Sequence, residues 1–189
     1  MAGPTIRAAF FHSNLEALAA LGEDESRRVL ARLPPQLLQE VEEAARVAWL
    51  PIEHDVALTE AIAAELGRDA LRAWSRDGFL RSADSPILAP MIRSVRAIFG
   101  ITPHSILRRV PYAWPLLFRD CGTMEYAEAG DRAASLVLRG APAVITRSAA
   151  YLDGMSGGLE AAVILGGQRG RAQVVGEDGA RTVRFSFSW

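Results

Sequence analysis

Apolar side chains return every three or four positions through the first two thirds of the chain, and every second position near its end. In the first regime, Ser13-Asn14-Leu15-Glu16 reads as a capping box. The serine hydroxyl takes an orphan helix N–H and the glutamate reaches back. A helix to about Leu21 follows, and Gly22 stops it. Residues 24–33 predict a second, short helix. Pro34-Pro35 breaks the chain, Pro35 opens a helix to about Ala48, and Trp49-Leu50-Pro51 breaks it again. Residues 53–66 carry Leu58, Ile62 and Leu66 on one side, with Gly67 as the stop. Residues 68–79 predict a helix around Leu71 and Trp74. Ser85-Pro86 caps the clearest stripe of all, Leu88, Met91, Ile92, Val95, Ile98 and Phe99, closed by Gly100. Thr102-Pro103 repeats the start signal ahead of Ile106 and Leu107, and Pro111 ends or bends that helix. The apolar, aromatic run YAWPLLF occupies 112–118.

From Gly122 the period changes. Residues 122–128 and 132–138 predict two strands around the turn Ala129-Gly130-Asp131. Residues 151–163 return to helical spacing through Tyr151, Met155, Leu159, Ala162 and Val163. Gly154, Gly157 and Gly158 interrupt that face. Each glycine costs a helix roughly 1 kcal/mol against alanine, so three together point to close backbone approach. Two strands then flank Glu177-Asp178-Gly179, a hairpin signal. In the last strand Val183, Phe185, Phe187 and Trp189 face one way and Thr182, Arg184, Ser186 and Ser188 the other. Residues 5–12 also alternate and predict a strand of this C-terminal sheet. The fold class is α+β. A mainly helical part over 1–120 precedes an antiparallel sheet with a packed glycine-bearing helix over 121–189, the two forming one compact unit.

Composition narrows the function. At 189 residues with half of them hydrophobic, the chain can bury a sizeable core without staples. Every basic side chain is arginine, which reads as the bias of a GC-rich genome before it reads as phosphate recognition. Those arginines are scattered and the net charge is −1, so no basic face for nucleic acid is expected. The single cysteine, Cys121, excludes an internal disulfide and suits a reducing compartment. Neither a secretory signal nor a membrane-length apolar run is present, so a cytoplasmic protein is expected.

The candidate chemistry is thin. His12, His54 and His104 lie far apart and belong to no metal motif. His54 and His104 sit at helix starts and are the two candidates for a haem ligand. Cys121 has no histidine near it in sequence. Gly154-Met155-Ser156-Gly157-Gly158 has the spacing of a nucleophile elbow. However, helix instead of strand precedes it, and no histidine follows it. Gly166-Gly167-Gln168-Arg169-Gly170 follows a helix and lacks a P-loop lysine, so it reads as a connection. Asp77, Asp84, Glu125 and Glu128 form no catalytic pair. No catalytic residue, metal site or cofactor is expected, and no enzyme.

Two resemblances follow from particular residues. Tyr151-Leu152-Asp153-Gly154, then Gly158-Leu159-Glu160, then a hairpin ending in Phe185 and Phe187, resembles the end of 4-vinyl-reductase-type ligand-binding domains. Many members of that family carry cysteines in the closing hairpin. This chain has Val175 and Val183 there, so no zinc role carries over. The segment from Phe10 to Leu21, Trp49-Leu50-Pro51, Leu107-Arg108-Arg109-Val110-Pro111, the Gly122 strand and Phe187-Ser188-Trp189 resemble a paralogous family restricted to Myxococcales. That likeness covers nearly the full length and implies no reaction. Haem nitric oxide/oxygen-binding domains share the order of helices first and sheet last. Their Tyr-x-Ser-x-Arg motif is not matched by Thr146-Arg147-Ser148.

The resemblances imply a non-enzymatic sensory module that binds a small apolar ligand, forms a homodimer and signals through a partner protein. The expected pocket lies between the helical part and the sheet, lined by Trp114, Phe118, Tyr126, Tyr151 and Met155. The alternative is a homodimeric scaffold without a ligand, its interface marked by Trp189 or the 112–118 run. A haem-based gas sensor comes third.

Overall fold

A computed structural model of the chain describes residues 3–82, 89–90, 101–176 and 181–189. The described elements are β1 (Thr5–Arg7), α1 (Ala8–Ala19), α2 (Glu23–Leu30), α3 (Pro35–Glu43), β2 (Trp49–Pro51), α4 (Ile52–Leu66) and α5 (Arg68–Ser82). After them come α6 (Pro103–Leu107), α7 (Val110–Leu117), β3 (Phe118–Arg119), β4 (Thr123–Gly130) and β5 (Ala133–Arg139). The chain closes with α8 (Ala143–Thr146), α9 (Ala149–Leu165), β6 (Arg171–Gly176) and β7 (Thr182–Ser188). The α+β class and the order of helices first, sheet last, are those expected. Apart from the helical Ala89-Pro90, the predicted stripe of 88–99 with its cap and closing glycine lies outside the described residues, as does the turn at 177–179.

The N-terminal segment departs from its expectation. Only Thr5–Arg7 is strand, and α1 begins at Ala8. Ser13 therefore lies inside the helix, its hydroxyl donating to the Ala9 carbonyl 3.1 Å away instead of capping. Phe11 and Leu18 are fully buried, a helical spacing that outweighs the short alternation ahead of it. Nor does β1 join the C-terminal sheet. It is the middle strand of a separate three-stranded sheet, β2-β1-β3, antiparallel to both neighbours. The predicted break Trp49-Leu50-Pro51 supplies one of its edges.

The C-terminal sheet is antiparallel with order β4-β5-β7-β6. Its predicted faces hold: Val183, Phe185 and Phe187 are buried, opposite Leu138, Leu136 and Ala134 on β5. That face packs against α6, α7 and α9. The other side of α9 lies along α5. Three glycines permit the approach. A Cβ on Gly157 would stand 2.4 Å from the Arg72 carbonyl oxygen, and those on Gly154 and Gly158 would crowd Thr59 and Ser75 at 3.1 Å. Helix α9 is thus buried almost all round, between the sheet and the helices α4 and α5.

Candidate ligand-binding site

On the α5 side of α9 the packing is incomplete. A cavity of about 110 Å³ opens there, lined mainly by apolar side chains. Helix α9 contributes Tyr151, Gly154, Met155, Gly158 and Leu159, and α5 contributes Trp74 and Phe79. Phe10 and Asn14 come from α1, Asp55 and Thr59 from α4, Trp114 and Leu117 from α7, and Phe118 from β3. The glycines have a second effect here: without Cβ atoms at 154 and 158, α9 presents bare backbone to the space.

One corner is polar. Asp55 is 4% exposed and accepts two hydrogen bonds, from Asn14 Nδ2 at 2.8 Å and from the Tyr151 hydroxyl at 2.9 Å. Burial pushes its carboxyl up to about 6, against the opposing pull of Tyr151 and Asn14. Burial, together with the charge of Asp55 and the hydrogen bond to it, also holds the Tyr151 phenol well above its ordinary range. The Thr59 hydroxyl donates to the Asp55 carbonyl at 2.7 Å and fixes the turn that carries the carboxylate.

Two indoles line the same space. The Nε1–H of Trp114 donates to the Gly122 carbonyl at 3.2 Å, and its ring stacks on Phe118 with centroids 4.0 Å apart. Trp74 is 4% exposed, and its Nε1–H has no partner among the described residues.

Four of the five pocket residues expected from the sequence, Trp114, Phe118, Tyr151 and Met155, do line the cavity. Tyr126 does not. It lies on β4, beyond the lining, where its hydroxyl meets His104 Nδ1 at 2.7 Å and its ring meets the Arg108 guanidinium. The cavity's position also differs from the expected one. Among the described residues, none from the four-stranded sheet lines it, because the sheet's apolar face is filled by its own packing on the helices. The sequence reading missed the polar members, Asp55, Asn14 and Trp74. A carboxylate in the first turn of a helix is ordinarily solvated, and only the packing of α1 and α9 over that turn buries Asp55.

The other candidates are structural. Ser156 is fully buried and donates back to the Leu152 carbonyl at 2.9 Å, so it is no nucleophile. Cys121 is 1% exposed and burial pushes its thiol up to about 12, far from a reactive thiolate. Gly166 to Gly170 connect α9 to β6, as expected. Among the described residues no group of histidine, cysteine and carboxylate side chains is placed to hold a metal ion. Trp189 is half-buried with its ring against His104, while Tyr112 and Leu116 of the 112–118 run are exposed.

No protein-family model and no curated protein matches this sequence. Solved structures do. A mutant H-NOX protein from K. algicida, in its Fe(II) unliganded form, is 12% identical, with TM-score 0.63 over 97% of this chain and 96% of that one. An oxygen-binding H-NOX domain related to soluble guanylate cyclases, in its oxygen complex, is 10% identical, with TM-score 0.63 over 97% and 94%. A structure from a study of haem distortion in the H-NOX family gives 0.65 at 10% identity, over 97% and 95%. The chain therefore has the fold of H-NOX domains along nearly its whole length.

That fold raises the question of haem, and the side chains answer it. Every histidine, cysteine and tyrosine of the sequence is among the described residues. No histidine or cysteine lines the cavity, and Tyr151 is engaged with Asp55. His54 pairs with Glu40 at 2.7 Å, and His12 bonds the Ala44 carbonyl at 3.3 Å. His104 is held by Tyr126 and the Asp131 carbonyl. At about 110 Å³ the space is also smaller than the ~150 Å³ cavity that holds a single benzene ring, whereas haem is a macrocycle of several rings. The residues present do not fit a histidine-ligated haem.

Proposed function

We propose that this protein is a non-haem sensory module, built on the H-NOX fold, that binds a small and largely apolar molecule and signals through a partner protein. The observation that carries the proposal is the apolar cavity against α9, with Asp55, Asn14 and Tyr151 linked at one corner. Ligand sites commonly combine such an apolar lining with a few fixed polar groups. The cavity joins α1, α4, α5, α6, α7 and α9, so its filling bears on how six helices sit together, which is what a sensor requires of its ligand. Kinship with the Myxococcales-restricted family and likeness to 4-vinyl-reductase-type domains belong to the same proposal, as does homodimer formation. So does the absence of catalysis.

A haem-based gas sensor is the second reading. It is favoured by one observation, the names of the structural neighbours, which mention haem and an oxygen complex. The two readings separate in a single experiment. Native mass spectrometry and an absorbance spectrum are taken on the protein purified from its host, and again on Met155→Trp, which fills the cavity. The proposal expects a retained small molecule in the wild type, none in the variant, and no Soret band in either. A Soret band in the wild type installs haem instead. A colourless protein without added mass, whose melting temperature no apolar probe raises, overturns both.

A further inference from the structure

Helix α7 and strand β3 each have two faces in use. Val110, Ala113, Trp114 and Leu117 of α7, with Phe118 of β3, line the cavity. Tyr112 and Leu116, one turn apart on the opposite side of α7, are exposed, and so is Arg119, the next residue along β3. This outer face continues onto the small sheet. Arg7 of β1 donates to the Leu116 carbonyl at 3.3 Å and to the Val47 carbonyl, just ahead of β2, at 2.8 Å. Its guanidinium lies over the Trp49 ring of β2 at 4.0 Å, and that of Arg119 lies over the same ring at 4.1 Å. Val47 is 76% exposed, Tyr112 67% and Leu116 43%. Three of the six large exposed hydrophobic side chains among the described residues thus gather around one pair of arginines. Such side chains scattered singly need no explanation, but a cluster marks an interaction site.

The charge on this face is uncompensated. Neither Arg7 nor Arg119 pairs with a carboxylate among the described residues, and the Arg119 guanidinium makes no hydrogen bond to them. Stacking on an indole restrains a guanidinium without using its N–H groups, whose geometry suits carboxylate oxygens. Tryptophan, tyrosine and arginine are also the side chains that dominate binding energy at protein interfaces. An anionic bilayer fits less well, since it is held by clusters of about four to eight basic side chains. We propose that this face docks a segment of the partner protein that sets carboxylates beside apolar side chains. Arg7 and Arg119 take the carboxylates, and Val47, Tyr112 and Leu116 take the apolar groups. Whatever fills the cavity presses on the inner face of α7 and β3 and so bears on the outer one. The inference rests on the reading above that the protein signals through a partner, and adds where that partner docks and what chemistry it carries.

The test places the photo-cross-linker p-benzoylphenylalanine at Tyr112 of the full chain in its host, and at the exposed Gln168, outside the patch, as a control. The adduct at 112 should fall on an acidic segment of one other protein, and the control should not form it. That partner, once purified, should bind the wild type and lose at least about tenfold in affinity for Arg119→Glu and for Val47→Asp. Both changes are at exposed positions, and circular dichroism should show both variants folded. Lysine in place of the partner's cross-linked acid should restore binding to Arg119→Glu. An adduct with a second copy of this chain, or with lipid, overturns the inference, as does a yield at 112 no higher than at 168. Partner binding that Arg119→Glu leaves unchanged overturns it equally. Met155→Trp separates this inference from the ligand-binding reading. Partner affinity that this cavity filler leaves unaltered keeps the docking face and counts against the cavity as its control. Failure at the docking face leaves the retained small molecule, read by native mass spectrometry, untouched.

Discussion

At the scale of single residues the consequential group is Asp55. Its carboxyl titrates near 6 in the fold, against an ordinary value of 3.8. A carboxyl raised in this way binds its proton more tightly when folded. Its contribution to stability is therefore fully present below about pH 4 and is lost as pH rises through about 6. The difference is on the order of 2–3 kcal/mol. Thermal melts of the wild type and Asp55→Asn between pH 4.5 and 7.5 should show the wild type losing ground to the variant as pH rises. A constant gap would mean that Asp55 does not titrate in this window. Gly157 makes a second case. Alanine there gains helix propensity but drives its Cβ into the Arg72 backbone, which cannot swing aside. Gly157→Ala should cost about 1–3 kcal/mol, read as a lower melting temperature. The three glycines in the 151–163 stripe announced that contact in the sequence. Asp55 announced nothing, because a carboxylate in the first turn of a helix looks the same whether water or Tyr151 faces it.

At the scale of elements, the edge strand β6 is held by side chains. Glu160 on α9 accepts from the Ala172 N–H at 3.0 Å, and Arg72 on α5 donates to the Ala172 carbonyl at 2.8 Å. Arg72 and Glu160 are themselves paired at 2.5 Å, with the glutamate buried. One ion pair thereby ties two helices to a strand and occupies backbone groups that an open edge would offer to another chain. Removing Glu160 leaves Arg72 only the looser contact with Asp153 at 3.9 Å and strips the Ala172 N–H of its acceptor. Glu160→Leu should destabilise the fold by about 2–4 kcal/mol. It should also speed hydrogen exchange at the Ala172 amide, while exchange in the β5–β7 pairing stays slow. Uniform acceleration throughout the sheet would instead mean that the pin supports the whole sheet. Sequence patterning placed most elements here, since α4, α5, β4, β5 and β7 lie close to their expected bounds, and β7 alternates between buried and more exposed positions. It failed at residues 8–12, where short alternation was compatible with helix, and the burial of Phe11 beneath the neighbouring helices decided the outcome.

At the scale of the whole molecule, fold and chemistry diverge. The chain has the H-NOX architecture, yet its histidines are occupied elsewhere. Adding haem to the purified protein should produce no spectrum that His104→Ala or His54→Ala abolishes. A Soret band lost in either variant would identify an axial ligand and reverse the proposed function. Among the described residues no helix is long and apolar enough to cross a membrane. What the sequence determined by itself was local and periodic: the α+β class, the glycine-bearing helix, the buried face of β7, and the aromatic residues Trp114, Phe118 and Tyr151 that line the cavity. Periodicity suffices for these because each depends on neighbours three, four or two positions away. The tertiary structure alone decided that β1 leaves the C-terminal sheet and that Tyr126 turns away from the cavity. It also decided that Asp55 is buried with Tyr151 and Asn14, and that the Trp74 N–H is buried without a partner among the described residues. Those outcomes depend on which residues, 41 to 96 positions apart in the case of Asp55, are brought against one another. Only packing sets that, because desolvation and hydrogen-bond pairing are properties of a place in the fold and not of a residue in a chain.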